Sequence, residues 1–175
     1  MVGSRWAVVK LPVRPVQHHV AERLAYTSRM PAVAPPDYPA LSARYADFFP
    51  GQPTATPRSE AFRWAGGTLR LDRHGPRQAP LTVVLVHGAG GYGRMFAPLA
   101  AALADAGHEV LAPDLPGYGL SPAHWAQVDY AAWKRALLAL IDAEHTQRAR
   151  PIVLLGASIG GYLAYLVAAE SPWVR

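Results

Sequence analysis

Nineteen residues, Pro151 to Ala169 (PIVLLGASIGGYLAYLVAA), constrain this chain more than any other stretch. Ile152 to Leu155 is a run of four apolar residues, two of them β-branched. It is too short for a helix and reads as a strand buried on both faces. A helix is predicted to follow almost at once. Between the two lies Gly156-Ala157-Ser158-Ile159-Gly160, a match to G-x-S-x-G, in which a serine sits on a tight strand-to-helix turn. The glycines let neighbouring backbone approach closely, and Ser158 is held in a strained conformation with its hydroxyl lifted above the sheet edge. The same turn sets the backbone N–H of Ile159 at a helix N-terminus, where the helix dipole favours developing negative charge. A nucleophile and half of an oxyanion hole thus come from adjacent residues. A chance turn is the plain rival reading, since the pattern fixes three positions, but the strand before it and the helix after it supply the context that the motif needs.

Length and composition narrow the remainder. A chain of 175 residues accommodates one core more readily than two. With 51% hydrophobic and 17% charged residues it is a folding sequence rather than a disordered one. The net charge of +5 is uneven: residues 1–80 hold 11 basic and 5 acidic side chains, and residues 81–175 hold 6 and 7. The basic residues are scattered singly from Arg5, Lys10, Arg14 and Arg23 onward, without a helical stripe or interleaved aromatics. They read as solvated surface charge, which argues against a nucleic-acid partner and against a membrane partner. Cysteine is absent, which excludes disulfides, thiolate zinc sites and a cysteine nucleophile. The first thirty residues lack a signal-peptide apolar core, and a cytoplasmic location is expected.

From residue 1 to 60 the chain is punctuated by proline (Pro12, Pro15, Pro31, Pro35, Pro36, Pro39, Pro50, Pro53 and Pro57) and reads as a Pro-rich extension. It has room for short helices at Val20–Arg29 and Tyr38–Phe49. The adjacent His18 and His19 point in different directions on either helix or strand and read as a surface pair, not a metal site. Residues 61–175 form the expected domain. Phe62, Trp64, Gly66-Gly67, Leu69 and Leu71 spell an antiparallel hairpin. Leu81 to Val86 reads as a strand buried on both faces and leads into His87-Gly88-Ala89-Gly90-Gly91-Tyr92-Gly93. A helix over Met95–Ala106 should turn Phe96, Leu99 and Leu103 to the core and stop at Gly107. A short strand at Glu109–Ala112 precedes Asp114-Leu115-Pro116-Gly117-Tyr118-Gly119-Leu120-Ser121. Asp129 caps a helix that carries Tyr130, Trp133, Leu137, Leu140 and Ile141. Alternating strands and helices from Leu81 onward mean βαβ units and parallel pairing. The fold class is therefore α/β, a mostly parallel sheet with flanking helices and an N-terminal antiparallel hairpin.

Gly88 to Gly93 also fits G-x-G-x-x-G, with Asp114 suitably placed to hold a ribose, so a dinucleotide-binding Rossmann domain competes. Against it stand His87 before the first glycine, the second glycine turn around Ser158 and the third at Pro116 to Gly119. No G-x-x-x-x-G-K-[ST] accompanies the Asp114-Leu115-Pro116-Gly117 segment, which removes a nucleotide-triphosphatase reading.

Taken together, HGAGG after one strand, D-x-P-G-x-G-x-S after the next and GASIGG after the third resemble the α/β-hydrolase fold. The resemblance runs from about Phe62 to Arg175 and is nearest to the broad bacterial esterase, lysophospholipase and serine-aminopeptidase branch. It implies Ser158 as catalytic nucleophile and the backbone N–H groups of Ala89 and Ile159 as the oxyanion hole, acting on a small-molecule acyl substrate with no cofactor and no metal. In the resembling motif His87 and Asp114 order their loops and are not the triad base and acid. His74, His108, His124 and His145, at loops or element ends, read as surface residues. Tyr92 and Met95 read as packing residues rather than pocket walls. A non-catalytic, hydrolase-like binding scaffold stays open beside the enzyme.

The resemblance also places a triad acid and histidine after the nucleophile, yet the seventeen residues beyond Ser158 contain Glu170 and no histidine. A truncated α/β-hydrolase fold is the expectation, inactive or weak in turnover. The Ile152–Leu155 strand would be left as an unprotected edge prone to self-association.

Overall fold

The computed structural model describes residues 57–123 and 128–175. The helices expected at Val20–Arg29 and Tyr38–Phe49, the His18-His19 pair and His124 lie outside the described residues. Five strands form one sheet: β1 (Arg58–Trp64), β2 (Gly67–His74), β3 (Thr82–Val86), β4 (Glu109–Pro113) and β5 (Ile152–Gly156), in the order β1-β2-β4-β3-β5. β1 pairs antiparallel with β2 and β2 with β4, while β3 pairs parallel with both β4 and β5. The sheet is mixed, with the expected hairpin at one end and the parallel strands at the other. β1 begins at Arg58, ahead of Phe62, because Arg58, Ser59 and Glu60 continue the ladder opposite Arg73, Asp72 and Leu71.

Among the described residues, three α-helices flank the sheet: α1 (Ala97–Asp105), α2 (Tyr130–Arg148) and α3 (Ile159–Glu170). β3 is buried on both faces, as its sequence predicts. Val84 and Val86 join Leu71, Leu111, Trp133, Leu137, Leu140, Ile141, Leu163 and Val167 on the α2–α3 side. Val83 and Leu85 join Val110, Ala112 and Ala100 on the α1 side. The period of two along a five-residue strand thus feeds two separate cores.

Three local expectations are corrected. The helix expected over Met95–Ala106 is a 3-10 helix at Gly93–Phe96 followed by α1, with Pro98 in the first turn of α1. Proline has no N–H to carry the hydrogen-bond ladder backward, so the α-helix starts afresh there. Leu99 is consequently 43% exposed, while Phe96, Ala100 and Leu103, spaced four and three apart, face the sheet. Tyr130 is likewise exposed, although Trp133, Leu137, Leu140 and Ile141 are buried as expected.

β5 is not buried on both faces. Ile152 is fully buried, Val153 and Leu154 are half-buried, and Leu155 is 41% exposed, because β5 is the last strand of the sheet. Nor is its edge wholly unprotected. Val174 forms a parallel bridge with Ile152, and the Arg175 N–H donates to the Ile152 carbonyl at 3.0 Å. Trp173 holds this tail on α2 by stacking on His145 at 3.9 Å and donating from Nε1 to Asp142 at 3.0 Å.

The reading of basic side chains as solvated fails most fully at Arg73 and Arg150. Arg73 and Arg150 are buried with Glu109 and Glu144, and Glu109 is fully buried. Arg73 bridges Glu109 at 3.2 Å and reaches Glu144 with both terminal nitrogens, and Arg150 pairs with Glu109. Arg148 adds contacts to both carboxylates. Burial alone would lower the Arg73 guanidinium, but hydrogen bonding to Glu144 and the charges of Glu144 and Glu60 outweigh it and raise it. The cluster ties β2, β4 and α2 together at the end of the sheet opposite Ser158. His74 is corrected too: it is 3% exposed rather than a surface residue. Among the described residues, no helix is long and apolar enough to cross a membrane.

Candidate active site

The parallel strands β3, β4 and β5 all run out at the same end of the sheet, and the three glycine-bearing loops meet there. Ser158 has φ 54° and ψ −124°, a conformation that side-chain-bearing residues rarely adopt. It stands at the N-cap position of α3, but its hydroxyl does not cap the helix. The residue is exposed. The chain closes the turn instead through backbone bonds from Gly160 N to Ala157 O at 2.8 Å and from Gly161 N to Ser158 O at 2.9 Å. The Ala157 N–H donates to Val86 O at 3.0 Å and so extends the β3–β5 ladder up to the elbow.

Close packing explains why this turn needs small residues. A Cβ on Gly160 would lie 2.2 Å from the Val86 carbonyl oxygen, so only glycine lets α3 start against the end of β3. A Cβ on Gly88 would lie 3.1 Å from both the Ser158 Cβ and the Ala157 oxygen. The loop after β3 is therefore beside the elbow. Among the described residues, neither the Ala89 N–H nor the Ile159 N–H donates to an acceptor. Ala89 is exposed in that loop, and Ile159 opens the twelve-residue helix α3, whose N-terminus carries partial positive charge.

His87 orders the loop. Its Nε2 accepts the Leu115 N–H at 2.9 Å, so the proton is on Nδ1, which donates to the Gly88 carbonyl at 2.8 Å. Burial pushes the imidazole below its ordinary value, an effect the Gly88 carbonyl and Asp114 only partly offset. With both nitrogens committed and the ring 2% exposed, His87 is not placed to take a proton from Ser158. Tyr118 packs edge-on against it at 5.2 Å.

Asp114 orders the next loop, accepting from Gly93 N at 2.7 Å and from Leu120 N at 2.8 Å. Ser121 fastens the same loop to β2: its Oγ donates to Asp114 O at 2.6 Å and accepts the Arg70 N–H at 2.8 Å. Of the two residues expected to pack near the oxyanion loop, Tyr92 is half-buried and Met95 is 46% exposed.

Sequence reasoning missed a polar cluster at this end. Arg94, just after the glycine loop, donates from Nε and Nη2 to Asp72 of β2 at 2.6 and 2.8 Å, and from Nη2 to Ser59 of β1 at 2.9 Å. Asp72 and Ser59 lie 22 and 35 positions from Arg94, so no local spacing signals the contact. Among the described residues, no cluster of histidine and carboxylate side chains is arranged to hold a metal ion.

Comparison with known proteins agrees with this architecture. The chain is 38% identical over 109 residues to lipase LipV of Mycobacterium tuberculosis, an alignment covering 59% of this chain and 37% of that protein. It is 32% identical over 103 residues to a haloalkane dehalogenase of Psychrobacter cryohalolentis, covering 56% and 32%. Among solved structures it resembles epoxide hydrolase A of Mycobacterium thermoresistibile with a TM-score of 0.59 and 30% identity, covering 68% of this chain and 37% of that one. The chain thus spans less than two fifths of the length of these relatives. The alpha/beta hydrolase fold profile matches residues 82–172, the stretch that holds β3, all three loops and the elbow. With over half of its length inside that match, the chain belongs to the alpha/beta hydrolase fold family.

Proposed function

We propose that the chain carries the nucleophile and oxyanion hole of a serine hydrolase that works through an acyl-enzyme. Ser158 Oγ attacks the carbonyl carbon of an ester, thioester or amide, and the carbonyl electron pair moves to oxygen. The Ala89 and Ile159 N–H groups face that oxyanion and stabilise it, each donor contributing roughly 3 kcal/mol to the transition state. Collapse of the tetrahedral species expels the alcohol, thiol or amine and leaves the acyl group on Ser158. Water then releases it as a carboxylic acid. His87 is not the base that takes the Ser158 proton, because both of its nitrogens are engaged elsewhere.

One observation carries the reading: Ser158 holds φ 54° with an exposed hydroxyl, between a strand and a helix, where relaxed backbone would serve any merely structural turn. The relatives named above include a lipase, a haloalkane dehalogenase and an epoxide hydrolase, and those names span different bonds cleaved. The acyl class therefore rests on Ser158 itself. A fluorophosphonate probe is expected to label Ser158. Labelling that persists in Ser158→Ala would remove the assignment.

A further inference from the structure

The loop that carries the Ala89 N–H is held chiefly at its two ends. Its front end is His87, whose ring ties it to Gly88 and to Leu115. In the middle, Ala89 and Gly90 are exposed, and a Cβ added at Gly90 would meet no atom within 4 Å. Packing around Gly90 therefore does not set the direction of the Ala89 N–H. One turn, closed from Gly91 N to Gly88 O at 3.1 Å, passes the position of the rear end forward to it.

Gly93 and Arg94 fix that rear end. Gly93 lies so close to β4 that a Cβ would come 2.2 Å from the Ala112 carbonyl oxygen, and its N–H donates to Asp114 at 2.7 Å. Asp72 is opposite Ala112 in the β2–β4 ladder, and Ser59 is opposite Asp72 in the β1–β2 ladder. The register thus delivers a carboxylate and a hydroxyl to the place that Arg94 reaches. Arg94 donates to both carboxylate oxygens of Asp72, from Nε at 2.6 Å and Nη2 at 2.8 Å, and Nη2 also reaches Ser59 Oγ at 2.9 Å. Both charged side chains are largely buried, and a two-bond fork out of water is stronger and more directional than a surface pair.

We infer that Arg94 is a positioning residue for the oxyanion hole: gripped by Asp72 and Ser59, it lets the β1–β2 hairpin hold the rear of the loop and so aims the Ala89 N–H. The role rests on the acyl-transfer reading given above. A donor stabilises an oxyanion only when it is aimed at where the charge develops, so a loop released at one end loses that stabilisation while substrate contacts elsewhere persist.

The test follows fluorophosphonate labelling of the 175-residue chain and, separately, the NMR amide signals of the loop. Arg94→Gln is expected to slow the maximal labelling rate at least about tenfold, with the half-saturating probe concentration within about twofold of wild type. Arg94→Lys restores the charge without the fork and should recover part of the rate. Arg148→Gln, which loses contacts to Glu109 and Glu144 at the far end of the sheet, should label at the wild-type rate even where it loses stability. In Arg94→Gln the Ala89 and Gly91 amides should shift and Gly91 should exchange faster, while the Leu115 amide on the His87 anchor stays in place. Wild-type labelling in Arg94→Gln, or equal slowing in Arg148→Gln, overturns the role. If the wild-type chain is not labelled, the acyl-transfer reading is what fails, and loop amides unmoved by Arg94→Gln overturn the positioning on their own. Should Arg94→Gln fail to fold, Ser59→Ala removes one contact and leaves the ion pair; it is expected to produce the same changes at smaller size, and their absence overturns the role.

Discussion

The Nε2 of His87 accepts the backbone N–H of Leu115 at 2.9 Å, which ties the loop after β3 to the loop after β4 across the mouth of the candidate site. Both groups are buried, so neither has water as a substitute partner. His87→Ala should leave the Leu115 N–H unsatisfied and cost about 1–3 kcal/mol for that group, with a further loss from the emptied ring volume. Urea unfolding measures the total, and amide exchange at Leu115 should speed up more than exchange in α2. A midpoint equal to wild type would show that the bond contributes nothing.

Acid should destabilise the fold earlier than its carboxylates would require. His74 is buried, with neither ring nitrogen hydrogen-bonded, and desolvation lowers it from 6.5 despite the opposing charge of Asp72. His87 is lowered for the same first reason. Unfolded, both histidines bind protons as pH drops through 6.5, while the folded state keeps them neutral, so the unfolded state binds more protons there. Stability is complete above that value and declines as pH falls from it toward the lower folded-state values. Denaturant midpoints between pH 8 and pH 5 check this, and His74→Leu should flatten the slope. A slope unchanged by His74→Leu would exclude it as a source.

The backbone conformation of Ser158 carries a cost in stability. Glycine occupies φ 54° without penalty, so Ser158→Gly should relieve about 1–3 kcal/mol of backbone strain, less roughly 0.5–1 kcal/mol for the freer unfolded chain. Net stabilisation of about 1 kcal/mol, together with complete loss of fluorophosphonate labelling, is the expected result. Calorimetry showing Ser158→Gly less stable than wild type would mean that the turn is not strained.

Glu109 should be the least replaceable charge in the domain. It is fully buried against Arg73 and Arg150 and also meets Arg58 and Arg148. Removing one partner from a buried ionic pair leaves its neighbours uncompensated, and Glu109→Gln should cost about 3–5 kcal/mol. Lys134→Ala breaks only the exposed pair with Glu170 and should cost less than about 1 kcal/mol. Comparable losses in the two variants would refute the difference in burial.

Features encoded within a few adjacent residues were legible before any coordinates. The turn around Ser158, the both-faces burial of Val83 to Val86 and the Asp129 cap each follow from local dihedral preferences or a short hydrophobic period, and each is in place. The hairpin forms with its turn at Ala65-Gly66, one residue earlier than Gly66-Gly67, because Gly67 already pairs with Trp64 as the first residue of β2. An apolar run does not reveal how many neighbours its strand acquires. Ile152–Leu155 reads like Val83–Val86, yet β5 is the last strand and Leu155 meets solvent. Likewise, a lone arginine reads the same whether it ends in water or against a carboxylate. Arg73 meets Glu144 across 71 positions and Arg94 meets Ser59 across 35, distances over which sequence carries no periodic signal. The local code determined the tight strand-to-helix turn at Ser158 and the identity of the strands. Which charges became buried partners and which edge stayed partly open were decided by tertiary contacts, because desolvation and pairing depend on what the folded chain brings alongside.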